Sequence, residues 1–377
     1  MTLWPWLIFV AAVGACVGSF LNVVIYRLPA GEGIVTPPSH DPRTGNKLQW
    51  WENIPIVSWL ALRGKSRYSG ERISVQYPLV EAFTMLAFGG LFAAYYLAGW
   101  RSGMAELGLG ATWPVLGVHL VLVACLIAAT VIDAKLYIIP LGIPWVATVV
   151  ALGLPVAAAA GLTPVDARVM PVTDAAGALA AAGGLLGLAV SLALLWNGVL
   201  PRSFEEDPDH VASDDPEAFL AHPHPRREVM KEVVFLAPTV VGSVVGFALA
   251  DAMAWQPTGW SASLGGVALG YLVGGALIWG TRVLGTLGFG KEAMGLGDVH
   301  LLAAIGAVLG PADATFVFFL APFLGLVGAA VTAGVAAIAS GRTRVIPYGP
   351  YLAAAAVVML LLREPVHAIF DTLVLRR

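Results

Sequence analysis

The chain is dominated by apolar runs that are about as long as a lipid bilayer is thick. A helix that crosses about 30 Å of hydrocarbon needs about 20 mostly apolar residues. A water-soluble domain with 58% hydrophobic and 12% charged residues would expose large apolar patches. We therefore predict an all-α polytopic membrane protein with about 8–10 transmembrane helices. The candidate runs are 3–26, 79–98, 113–133, 136–160, 175–199, 233–253, 263–284, 313–339 and 346–362.

The order of the runs predicts a topology. A further run, 298–310, is too short for a complete span at about 1.5 Å per residue. Counting this short run gives ten helices. The basic segment 27–78 is predicted to lie in the cytoplasm by the positive-inside rule, and alternation of the ten helices then places both termini outside. Arg27 follows the first apolar run and no basic residue precedes that run, which favours a retained helix over a cleaved signal peptide.

Two polar segments interrupt the apolar runs. Residues 27–78 contain many turn residues and aromatic side chains, so we predict a small cytoplasmic domain between the first two helices. Residues 201–232 are acidic and Pro-rich, with too few apolar side chains to fold alone. We interpret that segment as a mobile cytoplasmic loop, and its histidines as parts of a solvated linker rather than as metal ligands: His210, His222 and His224.

Two isolated aspartates stand at the ends of apolar runs. Asp133 ends the third run, and Asp298 opens the short one. A carboxylate at the centre of a membrane helix costs about 2.5–3.5 kcal/mol, so a carboxylate in a membrane helix is a candidate functional group. Helix capping is an alternative explanation for Asp298. The helix dipole disfavours Asp133 at a C-terminal end unless Lys135 compensates.

The alternation of helices places both aspartates on the cytoplasmic side, where paired carboxylates could hydrolyse a peptide bond. Two carboxyl groups about 3 Å apart share one proton, so that one activates water while the other polarises the carbonyl. Gly295 and Gly297, just before Asp298, are expected to adopt positive φ and to let an extended substrate approach the backbone. The pattern indicates an intramembrane aspartyl protease. An ion- or proton-coupled transporter is the alternative from a different class, because such carboxylates also relay protons.

Several fragments occur in the order found in one known family. The chain resembles the bacterial type IV prepilin peptidases, which are GxGD-type intramembrane aspartic proteases and in many cases also N-methyltransferases. The fragments that are similar are GSFLNVVIYRLP at 18–29, ENIP at 52–55, Ile132-Asp133 with Pro140, GKEAMGLGD at 290–298 and PYGPYL at 347–352.

The resemblance implies a function, partners and a location. It implies an endopeptidase of the inner membrane that cleaves the leaders of type IV prepilins or type II secretion pseudopilins at the cytoplasmic face, with no nucleic-acid partner. Methylation of the new N-terminus would use S-adenosylmethionine, and a peptidase without methyltransferase activity is the alternative. By this resemblance Asp133 and Asp298 are the catalytic pair, and the substrate or loop residues are Lys291, Glu292, Gly295, Gly297 and His300.

The departures from the family concern a metal. Related enzymes often carry two Cys-x-x-Cys pairs that can hold zinc, whereas the matching positions here are Asp41, Thr44, Ser66 and Ser69. We therefore predict no zinc, and expect a cluster of Trp50, Trp51 and Trp59, together with the membrane surface, to help stabilise the domain instead. His300 stands where a lysine is common. Its charge would depend on pH, and it is expected either to contact a substrate carboxylate or lipid, or to have no role.

The same resemblance gives the domain boundaries. Residues 175–260 are predicted to be an insertion of two helices around the acidic loop, because the stretch from Gly265 to Gly290 already resembles the helix before the GxGD segment. The predicted segments are 1–26 (first helix), 27–78 (methylation-associated cytoplasmic domain), 79–174 (membrane core with Asp133), 175–260 (insertion), 261–363 (membrane core with the GxGD motif) and 364–377 (C-terminal tail).

Overall fold

The computed structural model describes residues 2–41, 43–163, 166–204, 224–339 and 347–374. In these ranges the long apolar runs form α-helices, and no residue belongs to a β-strand. The helices are α1 Trp4–Arg27, α2 Val57–Ala61, α3 Gln76–Tyr96, α4 Ser102–Leu107, α5 Leu109–Leu136, α6 Gly142–Ala159, α7 Ala175–Trp196, α8 Pro225–Leu249, α9 Trp260–Phe289, α10 Leu296–Leu309, α11 Pro311–Ala339 and α12 Gly349–Val374.

The predicted membrane class is confirmed by the lengths of these helices. Within the described ranges, nine helices are long and apolar enough to cross a bilayer, and α10 is a shorter apolar helix. Each of the nine corresponds to one predicted run. The prediction for the loop 201–232 was wrong at its C-terminal end, because α8 begins at Pro225. Proline at a first helical position loses no hydrogen bond, so it can start a helix even in a polar sequence. Residues 205–223, with His210 and His222, lie outside the described residues.

The chain divides into two compact units, residues 1–143 with 360–377 and residues 144–359. In the first unit α1 packs against α3 and α5. Glycine makes the first contact close, since a Cβ atom on Gly18 would lie 2.7 Å from the Cα atom of Glu81. The side-chain amide of Asn22 donates to the carbonyl oxygen of Tyr77, 3.1 Å away. Small residues thus let backbones meet, as they do in many membrane helix pairs.

In the second unit α9 packs against α7, α8, α10 and α11. The crossing of α9 and α10 also depends on glycine: a Cβ atom on Gly270 would lie 2.0 Å from the carbonyl oxygen of Gly306. From Val299 to Leu309, every residue of α10 except His300 is buried. This burial explains how a helix too short to span a bilayer is stabilised, because its apolar side chains are covered by neighbouring helices.

Residues 28–75 connect α1 to α3 and contain two turns closed by isolated bridges, His40 with Lys47 and Lys65 with Arg72. The carboxylate of Glu81, in α3, accepts a hydrogen bond from the backbone N–H of Ile56 at 2.7 Å and so ties this segment to the helix. The expected tryptophan cluster is wrong for Trp50, which is 78% exposed. Trp59 is half-buried, and its indole N–H donates to the carbonyl oxygen of Ile73 at 3.3 Å. Polar contacts also join the two turns, as described below.

Candidate functional site

Asp298 lies in the first turn of α10, at its third residue. The N-cap is Gly295, in an extended conformation. The interpretation of Asp298 as the N-cap is therefore wrong. The N-cap is a glycine because α10 begins at Leu296, two residues before the predicted apolar run 298–310. Asp298 is half-buried, and its Oδ2 atom lies 3.5 Å from where a Cβ atom on Gly295 would be. An acidic group in a first turn is favourably placed in the helix dipole.

The expected positive φ at the two glycines of the motif is also wrong. Gly295 has a φ of −71°, and Gly297 is the second helical residue of α10. The left-handed turn falls instead on Gly290, with a φ of 69°, where it ends α9. The chain thus reverses direction before Lys291, so the motif itself needs no left-handed residue. Gly295 keeps the space beside the Asp298 carboxylate open, which is a different use of a missing side chain.

Aromatic side chains of the second unit lie beside two residues of α10, Asp298 and His300. Burial and the negative charge of Asp298 raise the pKa of Tyr348 to about 12. That phenol is therefore near the carboxylate and stays protonated at neutral pH. His300, which is half-buried, packs its ring against Trp145, with centroids 6.2 Å apart, and Trp145 in turn packs against Tyr271. Tyr348 was missed as a site residue, although the fragment PYGPYL was the available signal.

Asp133 lies in the last turn of α5, within the first unit, and its side chain is buried. Its carbonyl oxygen accepts the N–H of Tyr137 at 3.0 Å, and Tyr137 ends the helix in the left-handed conformation. Lys135, the residue considered as a possible compensation for this carboxylate, donates to the side-chain oxygen of Gln76. Burial of a carboxylate at the unfavourable end of a helix dipole is costly, which keeps Asp133 a functional candidate.

The loop between α9 and α10 carries the other predicted residues. Lys291 is exposed, and Glu292 accepts a hydrogen bond from the guanidinium of Arg282. Arg282 is fully buried in α9, and it also pairs with Glu232 of α8 at 2.9 Å. Sequence reasoning missed both Arg282 and Glu232. The signal was available, because an arginine within an apolar run of membrane length is a functional candidate by default.

Two ranges of the chain match known protein families. Residues 12–95 match the Bacterial Peptidase A24 N-terminal domain, and residues 233–330 match the Type IV leader peptidase family. Over these two ranges the chain is similar to the type IV leader peptidase family and to the N-terminal domain of bacterial A24 peptidases. The second match includes Lys291, Glu292, Gly295, Gly297, Asp298 and His300, whereas Asp133 lies between the two matches. The second match begins within the range 175–260, and the division into domains stays a prediction.

Curated relatives carry names that agree with this family. A Prepilin leader peptidase/N-methyltransferase of Xanthomonas campestris is 45% identical over 153 residues, which are 34% of this chain and 48% of the relative. One of the same name from Myxococcus xanthus is 43% identical over 150 residues, 39% of this chain and 40% of the relative. The chain thus matches less than half the length of each of these two relatives.

A third relative aligns over most of its length. The Type 4 prepilin-like proteins leader peptide-processing enzyme of Escherichia coli is 25% identical over 357 residues, 90% of this chain and 87% of the relative. No solved structure matches the chain.

The four positions compared above with Cys-x-x-Cys pairs are joined by hydrogen bonds. The carboxylate of Asp41 accepts from the hydroxyl of Ser66, from that of Ser69 at 2.8 Å and from the hydroxyl and N–H of Thr44. These donors hold the pKa of Asp41 well below its usual range, with Ser66 contributing most. One carboxylate and three hydroxyl groups do not fit a zinc site, which needs thiolate, imidazole or several carboxylate ligands. Among the described residues, no group of His, Cys, Asp or Glu is arranged to hold a metal.

A cavity of about 350 Å³ in the first unit is a candidate site for S-adenosylmethionine. It lies between α1 and residues 34–55, and its polar lining includes Ser19, Arg27 and Asn53. The Arg27 guanidinium already donates to the carbonyl oxygens of Gly33 and Pro37. The lining includes no acidic side chain of the kind that binds ribose hydroxyls in nucleotide sites. This cavity therefore offers no carboxylate to the ribose of this cofactor.

Proposed function

We propose that this protein is an integral membrane aspartic endopeptidase that removes the leader peptides of type IV prepilins or type II secretion pseudopilins. The observation that carries the proposal is the GxGD sequence 295–298 at the start of a short buried helix, within the segment that matches the leader peptidase family. The names of the three relatives supply the substrate class. We place the reaction at the cytoplasmic face of the inner membrane, on the basis of the basic segment 27–78.

The proposed catalytic pair is Asp133 and Asp298. One carboxylate takes a proton from water as the water oxygen attacks the scissile carbonyl carbon, and the protonated partner hydrogen-bonds to the carbonyl oxygen. The tetrahedral intermediate then collapses. Its C–N bond breaks, and a proton passes to the leaving nitrogen, which restores one protonated and one ionised carboxyl group. The pair acts as a unit, so neither residue is assigned permanently as acid or base.

Two forms of the enzyme fit the family. One cleaves and then methylates the new N-terminus with S-adenosylmethionine, and the other only cleaves. The names of the relatives favour the bifunctional form, and the replacement of the cysteine positions in residues 27–78 favours the peptidase alone. Mass spectrometry of the mature pilin N-terminus separates them, because one methyl group adds about 14 Da to the peptide.

The decisive experiment is cleavage of a co-expressed prepilin, read by gel shift, by the wild type and by Asp133→Asn and Asp298→Asn. Asparagine keeps size and polarity but cannot act as a base, so each variant is expected to lose cleavage by at least about 100-fold. Asp313→Asn is the matched control, because Asp313 is also buried in the first turn of a helix, α11, and lies outside the GxGD motif. It is expected to cleave at about the wild-type rate.

Normal cleavage by both aspartate variants, at wild-type protein levels, would reject the catalytic pair. Absence of cleavage by the wild type in detergent, together with a gradient-dependent flux in liposomes, would favour the transporter. A peptidase needs no gradient, whereas coupled transport depends on one.

A further inference from the structure

The loop that precedes Asp298 is fixed to α9 by side chains. It runs from Gly290 to Gly295, and Asp298 follows three residues later. One Nη atom of Arg282 donates to both the Glu292 carboxylate and the carbonyl oxygen of Met294. The backbone N–H of Ala293 donates to the hydroxyl of Thr286 at 3.2 Å. Three loop residues in succession are thus bound to the last two turns of α9, which limits where α10 can begin.

The other edge of the Arg282 guanidinium is held from a different helix. Its Nε and second Nη atoms donate to the Glu232 carboxylate of α8 at 3.0 and 2.9 Å. The indole N–H of Trp279 donates to the same carboxylate at 2.7 Å, and the ring of Phe204 lies 4.6 Å from the Arg282 Cζ atom. A guanidinium is planar and presents its donors in a fixed fork, so holding one edge also orients the other.

The burial of this cluster argues for a specific role. Arg282 is 0% exposed and Glu232 is 2% exposed, and α8 and α9 are both candidate membrane-spanning helices. Replacing a buried ion pair by apolar side chains is often neutral or stabilising, so helix packing alone does not require these charges. The charged groups supply directional hydrogen bonds instead. A guanidinium that donates to a loop carbonyl and to a loop carboxylate fixes the position of the loop, whereas apolar contacts do not.

We propose that Arg282 and Glu232 are positioning residues for Asp298: Glu232 orients the Arg282 guanidinium, which clamps residues 292–294 and sets the start of α10. The inference rests on the proposed peptidase function, in which Asp298 is catalytic. It also gives α8 a role in the active site, since α8 supplies Glu232. A displacement of about 1 Å in a reacting group can cost about 100-fold in rate.

The test compares Arg282→Lys and Glu232→Gln with a matched control, Glu228→Gln. Lysine keeps the charge but loses the fork, and glutamine keeps the shape of Glu232 but loses its charge. Glu228 lies one turn earlier in α8 and is also buried. It pairs with Lys231 at 2.7 Å and accepts the N–H of Phe204 at 3.0 Å. We expect both test variants to lower kcat on a purified prepilin by about tenfold or more, with KM within about threefold of the wild type. The control should stay within about twofold.

A second measurement reports on the loop without using activity. In a chain with Cys16→Ala and Cys125→Ala, which removes both cysteines, the exposed Ala293 is changed to cysteine and its rate of maleimide labelling is followed. The test variants should label about threefold faster or more, because an unclamped loop opens more often. Glu228→Gln should leave the labelling rate unchanged. Thermal unfolding in detergent checks that each protein is folded.

Each outcome decides the inference. Lower kcat with faster labelling supports it. Lower kcat with unchanged labelling overturns it, since the loop has not moved. Unchanged kcat in the test variants, while the wild type cleaves and Asp298→Asn does not, overturns it and leaves the peptidase intact. A wild type that cleaves no prepilin rejects the proposed function and the role in cleavage with it, and the labelling rates then report whether the clamp exists. If Arg282→Lys does not fold, Glu232→Gln decides alone.

Discussion

Two polar clusters hold loops in this protein, and they are built from different groups. In the segment 28–75 between α1 and α3, the Asp41 carboxylate joins two turns through neutral donors, namely the N–H groups of Arg43 and Thr44 and the hydroxyl groups of Ser66 and Ser69. In the second unit, the Arg282 guanidinium joins a loop to two helices through two carboxylates. In both clusters, several hydrogen bonds meet at one side chain and hold a turn in place. Only the second places opposite charges together out of water.

The difference follows from the surroundings of each cluster. The Asp41 carboxylate is 3% exposed, and it can remain charged with neutral donors alone because several N–H and O–H groups donate to it. A guanidinium buried in an apolar helix carries its charge away from water, so it requires a counter-ion. The two clusters should therefore fail differently, one gradually as single donors are lost, and the other abruptly when one ion loses its partner.

The largest expected effect comes from breaking the buried pair. Arg282→Met leaves Glu232 charged and without its counter-ion at a site that is 2% exposed. Removing one partner of a buried ion pair costs about 3–5 kcal/mol of stability. We expect a loss in this range in the free energy of unfolding, measured in detergent by chemical denaturation.

The double variant Arg282→Met/Glu232→Met is the control for this effect. It replaces the pair by apolar side chains, and we expect it to recover most of the lost stability, because such replacements are often neutral. It should not recover cleavage, since no group then holds the loop. Equal losses of stability in the single and double variants would mean that packing, rather than the unpaired charge, is responsible.

A smaller effect, dependent on pH, is expected at Asp41. Its folded-state pKa is lowered by hydrogen bonds from Ser66, Thr44 and Ser69. A carboxyl group whose pKa is lower in the folded state contributes stability above its unfolded pKa of about 4, and that contribution is lost as the pH falls further. Hydrogen exchange of residues 40–47 and 65–72, corrected for intrinsic rates, should therefore accelerate below about pH 4.

Asp41→Asn should produce the same loss at neutral pH. Its side chain can still accept from one or two donors, so we expect exchange in both turns to become about tenfold faster while α1 is unaffected. An unchanged exchange rate in the variant would show that the carboxylate does not hold the turns together.

The sequence was sufficient for the membrane-spanning helices. A run such as 113–133 is apolar on every face, and only a helix buries all of its backbone polar groups in lipid, so length alone identified it. The helix that formed, Leu109–Leu136, extends a few residues beyond the run at each end. Asp133 and Asp298 were singled out because a lone carboxylate is conspicuous in an apolar sequence, and their catalytic role stays a prediction.

The local geometry and the long-range pairs could not be predicted in this way. Positive φ was expected within the GxGD motif, but the turn occurs at Gly290, since where a chain reverses depends on what clamps the loop. Glu232 and Arg282 are 50 residues apart, and no local pattern indicates that two charges that far apart will meet. The positions compared with cysteines were predicted only in part. The absence of thiols could be seen in the sequence, but the hydrogen bonds from three hydroxyl groups to Asp41 could not be predicted from it.

The smallest expected effect concerns an ion pair at the edge of the Asp41 cluster. Arg43 and Glu71 link the same two turns, but their side chains are 68% and 55% exposed. Exposed pairs contribute about 0–1 kcal/mol, and salt screens them further. Arg43→Gln retains the backbone N–H that donates to Asp41 at 3.0 Å. We therefore expect hydrogen exchange of both turns to stay within about twofold of the wild type at low and high salt. If the variant instead loosened both turns as much as Asp41→Asn, surface charge rather than neutral donors would hold this segment, and the two clusters would no longer differ in kind.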